Sequence, residues 1–343
     1  MLRVSNFGFL IYMSQQKDRI LTYDTAIQEA LYQEMESNPR VIIIGQGVKS
    51  PWYVGRTTEG LYDTFGKIRV IDTPVSENGM TGMALGAALA GMRPIIIHPR
   101  MDFMLYAADQ IVNEAANWNA MFGGAASMPV VIRAIINRGG EQGAQHSQAL
   151  HAWFAHVPGL KVVMPATPYD AKGLLIAALR DNNPVMYIDD RWLYSEQGHV
   201  PQEPYEVPIG KANIVRKGKD ITLVAISYLL PHAMDASQQL AKKHIDVEVV
   251  DIRSLSPLDT ETILRSVQKT GKLAVADPGW RNFGASAEII ASIVETPGIV
   301  LASPPVRITL QNCPAPVSKA LEKTYYPGTK EIIHALTKII NIK

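Results

Sequence analysis

Two stretches of this sequence carry side chains whose types and spacing suit proton transfer. Asp72-Thr73-Pro74-Val75-Ser76-Glu77-Asn78-Gly79 follows an apolar run and leads into Met80-Thr81-Gly82-Met83-Ala84-Leu85-Gly86-Ala87-Ala88, a helix of very small residues. A carboxylate past the end of a strand stands where the active sites of open α/β sheets gather. The small-residue helix behind it suits tight packing against a partner or ligand. Glu77 would serve equally well as an acid favouring the positive end of the helix dipole. The second stretch, Gln142-Gly143-Ala144-Gln145-His146-Ser147-Gln148, sets a histidine between polar neighbours after Gly139, Gly140 and Gly143. Those glycines let a loop bend closely round a ligand. An imidazole there can exchange a proton near neutral pH, and a solvated loop histidine is the alternative reading.

Several familiar site patterns are missing. Gly45-Gln46-Gly47 follows a strand, as a dinucleotide fingerprint begins, but Ser50 takes the place of the third glycine. Pro51-Trp52 is then expected to deny the phosphates a helix N-terminus. The chain has no Gly-x-Ser-x-Gly elbow, no His-Glu-x-x-His pair and no Walker loop, which removes the common hydrolases and nucleotide triphosphatases.

The elements that must position these residues alternate along the chain. Tyr23, Ala26, Ile27, Ala30 and Leu31 mark one helical face, stopped at Asn38-Pro39. Short β-branched runs at 41–44, 68–71, 94–97, 130–136, 162–164 and 185–188 are separated by helical patterns at 80–90, 107–121 and 169–180. Continuous apolar strands between helices predict an α/β fold with a mostly parallel sheet covered on both faces. Pro201, Pro204 and Pro208 mark residues 196–211 as a linker. A second, smaller α/β alternation follows, with strands at 221–226, 247–252, 273–276 and 306–310 and helices at 231–243, 260–270, 284–294 and 329–340. The predicted organisation is a flexible leader at 1–18, a first domain at 19–195, the linker, and a second domain at 212–343. Within the leader the apolar run 7–13 is too short to span a bilayer, and Met13 is a second plausible start.

The chain of 343 residues is large enough for two domains. Its 33 Lys+Arg against 32 Asp+Glu leave a net charge of +1, so no strong field draws it to nucleic acid or to a membrane. Cys313 is the single cysteine, which excludes an internal disulfide and fits a reducing, cytoplasmic setting.

Taken together the blocks resemble the beta subunit of the heterotetrameric first component of 2-oxo acid dehydrogenases, within the transketolase-like thiamine diphosphate family. The resemblance runs from about Tyr23 to the C-terminus. Its marks are Thr58-Glu59-Gly60-Leu61, Asp72 to Glu77, Asp109-Gln110-Ile111-Val112-Asn113-Glu114-Ala115 and Gln145-His146-Ser147. Pro158 to Pro165, Asp170 to Leu175, Leu255-Ser256-Pro257-Leu258-Asp259 and Gly279-Trp280 follow.

The resemblance implies a pyrimidine-binding domain followed by a smaller C-terminal domain of the transketolase type. It makes Glu77 the acid that bonds the aminopyrimidine ring of thiamine diphosphate and starts its proton relay, with burial raising its pKa. It makes His146 an active-site histidine near the substrate. Gln46, Arg100 and Phe103 are the further cofactor-side residues. Gln46 stands where relatives carry an acid and cannot exchange a proton at neutral pH. Arg100 aligns with a phenylalanine on which the aminopyrimidine packs; its guanidinium can stack on a ring, meet an anionic substrate group, or pair with Asp102 or a partner's acid. The backbone carbonyls of Val130, Ala178, Leu179, Asp181 and Asn183 match a potassium site of some relatives.

The chain has no Gly-Asp-Gly, the motif that holds diphosphate and Mg2+ in the family. The resemblance therefore implies an alpha subunit carrying that motif, an α2β2 assembly and, in the dehydrogenase reading, a lipoyl transacylase. Within the class, a transketolase-like or acetoin-type carboligase is the alternative to the dehydrogenase. A non-catalytic assembly subunit is the alternative outside it.

Overall fold

The computed structural model describes residues 19–340; the expected leader at 1–18 lies outside them. The fold is α/β, built on a seven-stranded and a five-stranded sheet. The larger sheet runs in the order Ser254–Ser256, Lys161–Val163, Val185–Asp190, Val131–Ile136, Arg93–His98, Val41–Gln46, Val70–Thr73. All its pairs are parallel except the first.

Both faces of this sheet are buried, which is why its strands are continuous apolar runs. In Val41–Gln46, Val41 and Ile43 face the helices Tyr23–Ser37 and Pro168–Arg180, through Ile27, Leu31, Leu174 and Leu175. Ile42 and Ile44 face Met80, Ala84, Leu85 and Ala88 of the helix Glu77–Leu89. Thr167 caps Pro168–Arg180 by accepting from the Asp170 N–H at 3.1 Å.

The smaller sheet has the order Val306–Leu310, Leu273–Trp280, Ile221–Ala225, Val247–Asp251, Asn213–Arg216. Only its last strand is antiparallel. The strand Ser254–Ser256, which follows Val247–Asp251 in the chain, crosses back to pair with Lys161–Val163 in the larger sheet. Buried polar contacts further join the elements: the ion pairs Arg133–Asp189 at 2.7 Å and Arg138–Asp190 at 2.8 Å, and His151 against Asp277 at 2.9 Å between the two halves.

Three local features differ from the sequence reading. The stretch 107–121 is not one α-helix: it divides into a 3-10 turn Phe103–Ala107, a π-helix Asp109–Ala115 and an α-turn Trp118–Met121. The Ala116 N–H bonds the Ile111 carbonyl at 3.0 Å and the Asn117 side chain bonds the Val112 carbonyl at 3.0 Å, so wide-turn bonds displace the α pattern. Within the expected linker, Gln197–His199 forms an edge strand against Ile20–Thr22, before the prolines begin. A helical turn, Pro51–Val54, does start after Gly47, which overturns the expectation that Pro51 excludes one; proline is suited to the first helical position.

Candidate active site

Four neighbouring parallel strands bring their carboxyl ends to one edge of the larger sheet, and each contributes to a cavity of about 120 Å3. Gln46 ends Val41–Gln46, Glu77 follows Val70–Thr73, His98, Arg100 and Phe103 follow Arg93–His98, and His146 follows Val131–Ile136. The cavity walls therefore hold every side chain that the sequence assigned to catalysis or to the cofactor: Glu77, His146, Gln46, Arg100 and Phe103. Tyr53, His98 and Pro99 complete the lining.

Glu77 is the first residue of the helix Glu77–Leu89. It is half-buried, and its carboxylate has no hydrogen-bond partner among the described residues. The burial expected of it is thus not supplied by this chain alone. Its helical turn is fixed from below: the Thr81 hydroxyl donates to the Glu77 carbonyl at 2.7 Å and lies 3.2 Å from His98 Nε2. Since that hydroxyl hydrogen is directed at the carbonyl, Thr81 accepts from His98 Nε2–H, leaving His98 Nδ1 as an unpaired, buried acceptor. Burial pushes the His98 pKa down to about 3, so its ring is neutral at physiological pH.

The histidine loop is stitched to the segment after Arg93–His98. The Phe103 and His146 rings meet edge to face, centroids 5.1 Å apart at 84°. The Gln148 N–H donates to Asp102 Oδ1 at 3.1 Å, the Leu150 N–H to Met101 Sδ at 3.4 Å, and the Asn137 amide to the Pro99 carbonyl at 2.8 Å. Burial raises the Asp102 pKa, partly offset by the Gln148 bond and the nearby His146. Arg133 donates to Thr57 at 2.9 Å, which anchors the turn behind Tyr53. Tyr53 also packs against Gly47, which has φ +66°.

Phe103 supplies an aromatic ring to the cavity wall, although alignment placed the expected phenylalanine at Arg100. Arg100 does not pair with Asp102; its NH1 donates to the Pro99 carbonyl at 3.1 Å. The wall residues that the sequence reading did not single out are Tyr53, His98 and Pro99. His98 ends an apolar run, and nothing in its neighbours marks it.

The five carbonyls proposed for potassium lie outside this cavity, and four of them already accept hydrogen bonds, two of them from Arg93. Val130 O accepts from Val185 N–H at 3.1 Å and Ala178 O from Asp181 N–H at 3.3 Å. Leu179 O accepts from Arg93 Nε at 2.7 Å, and Asp181 O from Arg93 NH2. A guanidinium therefore already brings positive charge to this cluster. Among the described residues, no group of three or more His, Cys, Asp and Glu is placed to hold a metal ion.

Nearly the whole of the chain matches a known family. The transketolase pyrimidine-binding domain matches residues 20–196, and the transketolase C-terminal domain matches residues 210–332. The chain belongs to the transketolase-like family. Among relatives of this family member is the beta subunit of acetoin:2,6-dichlorophenolindophenol oxidoreductase of Cupriavidus necator. It is 44% identical over 336 residues, covering 93% of this chain and 97% of the relative. The mitochondrial pyruvate dehydrogenase E1 component subunit beta of Bos taurus is 40% identical over 327 residues, covering 94% and 91%. A solved structure described as a split gene transketolase, inactive beta4 tetramer, shares the fold with a TM-score of 0.75 at 21% identity, covering 94% of this chain and 99% of that one. Among the described residues of this transketolase-like chain, no helix is long and apolar enough to cross a membrane.

Proposed function

We propose that this chain is the beta subunit of a thiamine diphosphate-dependent enzyme that decarboxylates a 2-oxo acid such as pyruvate and passes the acyl unit to a lipoyl-type acceptor. The observation that carries the reading is the convergence of Glu77, Phe103 and His146 on one cavity, in a chain 40% identical to a pyruvate dehydrogenase beta subunit over nearly its whole length. The acetoin oxidoreductase relative, at 44% identity, favours a second reading in which the cleaved substrate is a neutral hydroxyketone. A transketolase-type transfer to a carbonyl acceptor is a further variant of the same chemistry.

Bound thiamine diphosphate supplies a carbon nucleophile and an electron sink for cleavage beside a carbonyl. In this reading Glu77 holds a proton against the ring nitrogen of the aminopyrimidine and favours the tautomer that can take up a further proton. Its lack of an internal partner suits a carboxylate completed by a heterocycle. Phe103 offers an apolar face to that ring, and the neutral His98 presents an acceptor at Nδ1. His146 donates to, or orients, the substrate's carbonyl oxygen. Gln46 bonds within the site without exchanging protons.

The diphosphate and Mg2+ fall to an alpha subunit, since this chain lacks both Gly-Asp-Gly and a metal-ligand cluster among its described residues. The open face of Glu77–Leu89 supports such a partner. Gly82 and Gly86 are exposed on it with almost nothing in reach, and Met83 and Leu89 stand uncovered beside them. Doubling by a two-fold axis gives α2β2. A cytoplasmic location and a lipoyl transacylase partner complete the proposal. Potassium at the Val130, Ala178, Leu179, Asp181 and Asn183 carbonyls would use their second lone pairs beside Arg93. A higher melting temperature in KCl than in choline chloride of equal ionic strength supports that ion, and identical melting removes it.

Glu77→Gln in the reconstituted complex tests the catalytic reading. Turnover should fall by about 10²-fold or more while the two chains still assemble. Undiminished turnover assigns this subunit an assembly role only.

A further inference from the structure

Arg100 lines the cavity with no acid paired to its guanidinium among the described residues. Its guanidinium shares the walls with Glu77, Phe103 and His146. Among the described residues its partner is the Pro99 carbonyl, and its buried Nε has none. Asp102 is turned to the Gln148 N–H, and its other oxygen is buried without a partner. Burial and the positive charge of Arg191 hold the Arg100 pKa down, partly offset by the charge of Asp102. Arg191 itself is spent on the carbonyls of Trp52 and Tyr53.

A half-buried guanidinium without an acid is an expensive feature unless an anion completes it in use. Its planar fork of donors fits a carboxylate or a phosphate. That anion is not the carboxylate lost as carbon dioxide: a fork clamped on the leaving group stabilises the ground state more than the transition state and slows its departure.

We propose that Arg100 binds a carboxylate or phosphate that the substrate keeps throughout the reaction, so that this subunit selects ketone substrates bearing a distal anionic group. The inference rests on the thiamine reading for where the substrate lies, and it narrows the substrate class from pyruvate or acetoin to a larger, charged ketone.

The test measures binding, so it stands apart from turnover and from the Glu77→Gln result. The complex with its alpha partner, loaded with thiamine diphosphate, is titrated calorimetrically with glycerol 3-phosphate, glutarate and uncharged glycerol. An anionic probe should bind the wild type, with glycerol silent. Arg100→Gln should weaken that binding by about 10- to 100-fold, as for a lost charge-assisted bond, and Arg100→Lys by less, all three proteins being titrated at saturating thiamine diphosphate. Preference for glycerol 3-phosphate identifies a phosphate, and preference for glutarate a distal carboxylate. If neither anion binds the wild type, as when a partner's acid neutralises Arg100, or if Arg100→Gln binds equally well, the inference is overturned.

Discussion

The His151 imidazole and the Asp277 carboxylate meet at 2.9 Å, Nε2 to Oδ1, with both side chains fully buried. Asp277 also accepts from the Gly279 N–H at 2.9 Å and, through Oδ2, from the Ser286 N–H at 2.8 Å, so it caps the helix Ala285–Val294. The pair thereby joins the start of the helix His151–Ala155, five residues beyond His146, to the far sheet. Burial alone would raise the Asp277 pKa, but His151 and the two N–H groups outweigh it and hold the carboxyl low. A depressed carboxylate contributes stability that is complete above its unfolded value, near pH 4, and fades as pH falls through the lower folded value.

Asp277→Asn and His151→Ala should each cost about 3 kcal/mol or more at pH 7, because removing one partner strands the other inside. Urea unfolding measures the loss. For Asp277→Asn the deficit against wild type should shrink as pH drops below 4. A deficit that does not change with pH would place the loss in packing.

His98 should make the fold acid-sensitive in a different range. Its folded pKa, about 3, lies below the unfolded value near 6.5. Between these values the unfolded chain binds more protons, so this group's effect is to lower stability as pH falls, by about 1.4 kcal/mol per pH unit. In His98→Gln that part of the slope should vanish between pH 6 and pH 4.5. Denaturation curves for both proteins across that range measure it.

Gly86 sits on an exposed helix face with nothing within 4 Å of an added Cβ. Gly86→Arg should therefore leave the isolated chain as stable as before or slightly more so, since glycine is a poor helix residue. The same change should block the alpha partner. Size-exclusion chromatography of the mixed chains reads the outcome, and a complex of unaltered size and affinity would remove this face from the interface.

His146→Gln should reduce turnover of the reconstituted enzyme by about 10²- to 10⁴-fold while thiamine diphosphate still binds. The loop should keep its place, because Gln148 and Leu150 are held by Asp102 and Met101 rather than by His146. Equal losses in turnover and in cofactor affinity would point to a structural part instead.

Much of the scaffold was legible because its determinants are local. Thr260–Thr270 begins after Asp259, which accepts from the Thr262 N–H at 3.2 Å, and ends at Gly271 with φ +67°; both signals stand in the sequence. The stretch 107–121 was misread because Asn113, Asn117 and Asp109 rewire its turns, and helical periodicity does not register that competition. In the site, Glu77 and His146 stood out through their polar, glycine-rich surroundings, whereas His98 is hidden at the end of Arg93–His98 and acquires meaning only from Thr81. Arg100 was read as one end of three possible pairings; folding shows that Asp102 is already turned to Gln148. The carbonyls near Arg93 show the limit of backbone ligands, since any side chains could accompany them.

The strand Ser254–Ser256 has a consequence for biogenesis. A nascent or truncated product ending near residue 211 would lack the segment that covers Lys161–Val163, whose outer N–H and C=O groups would lie bare. Open strand edges of that kind recruit other chains. Expression fragments of the N-terminal portion should therefore precipitate unless residues up to about 256 are included, and the ribosome must deliver most of the polypeptide before its first sheet is sealed.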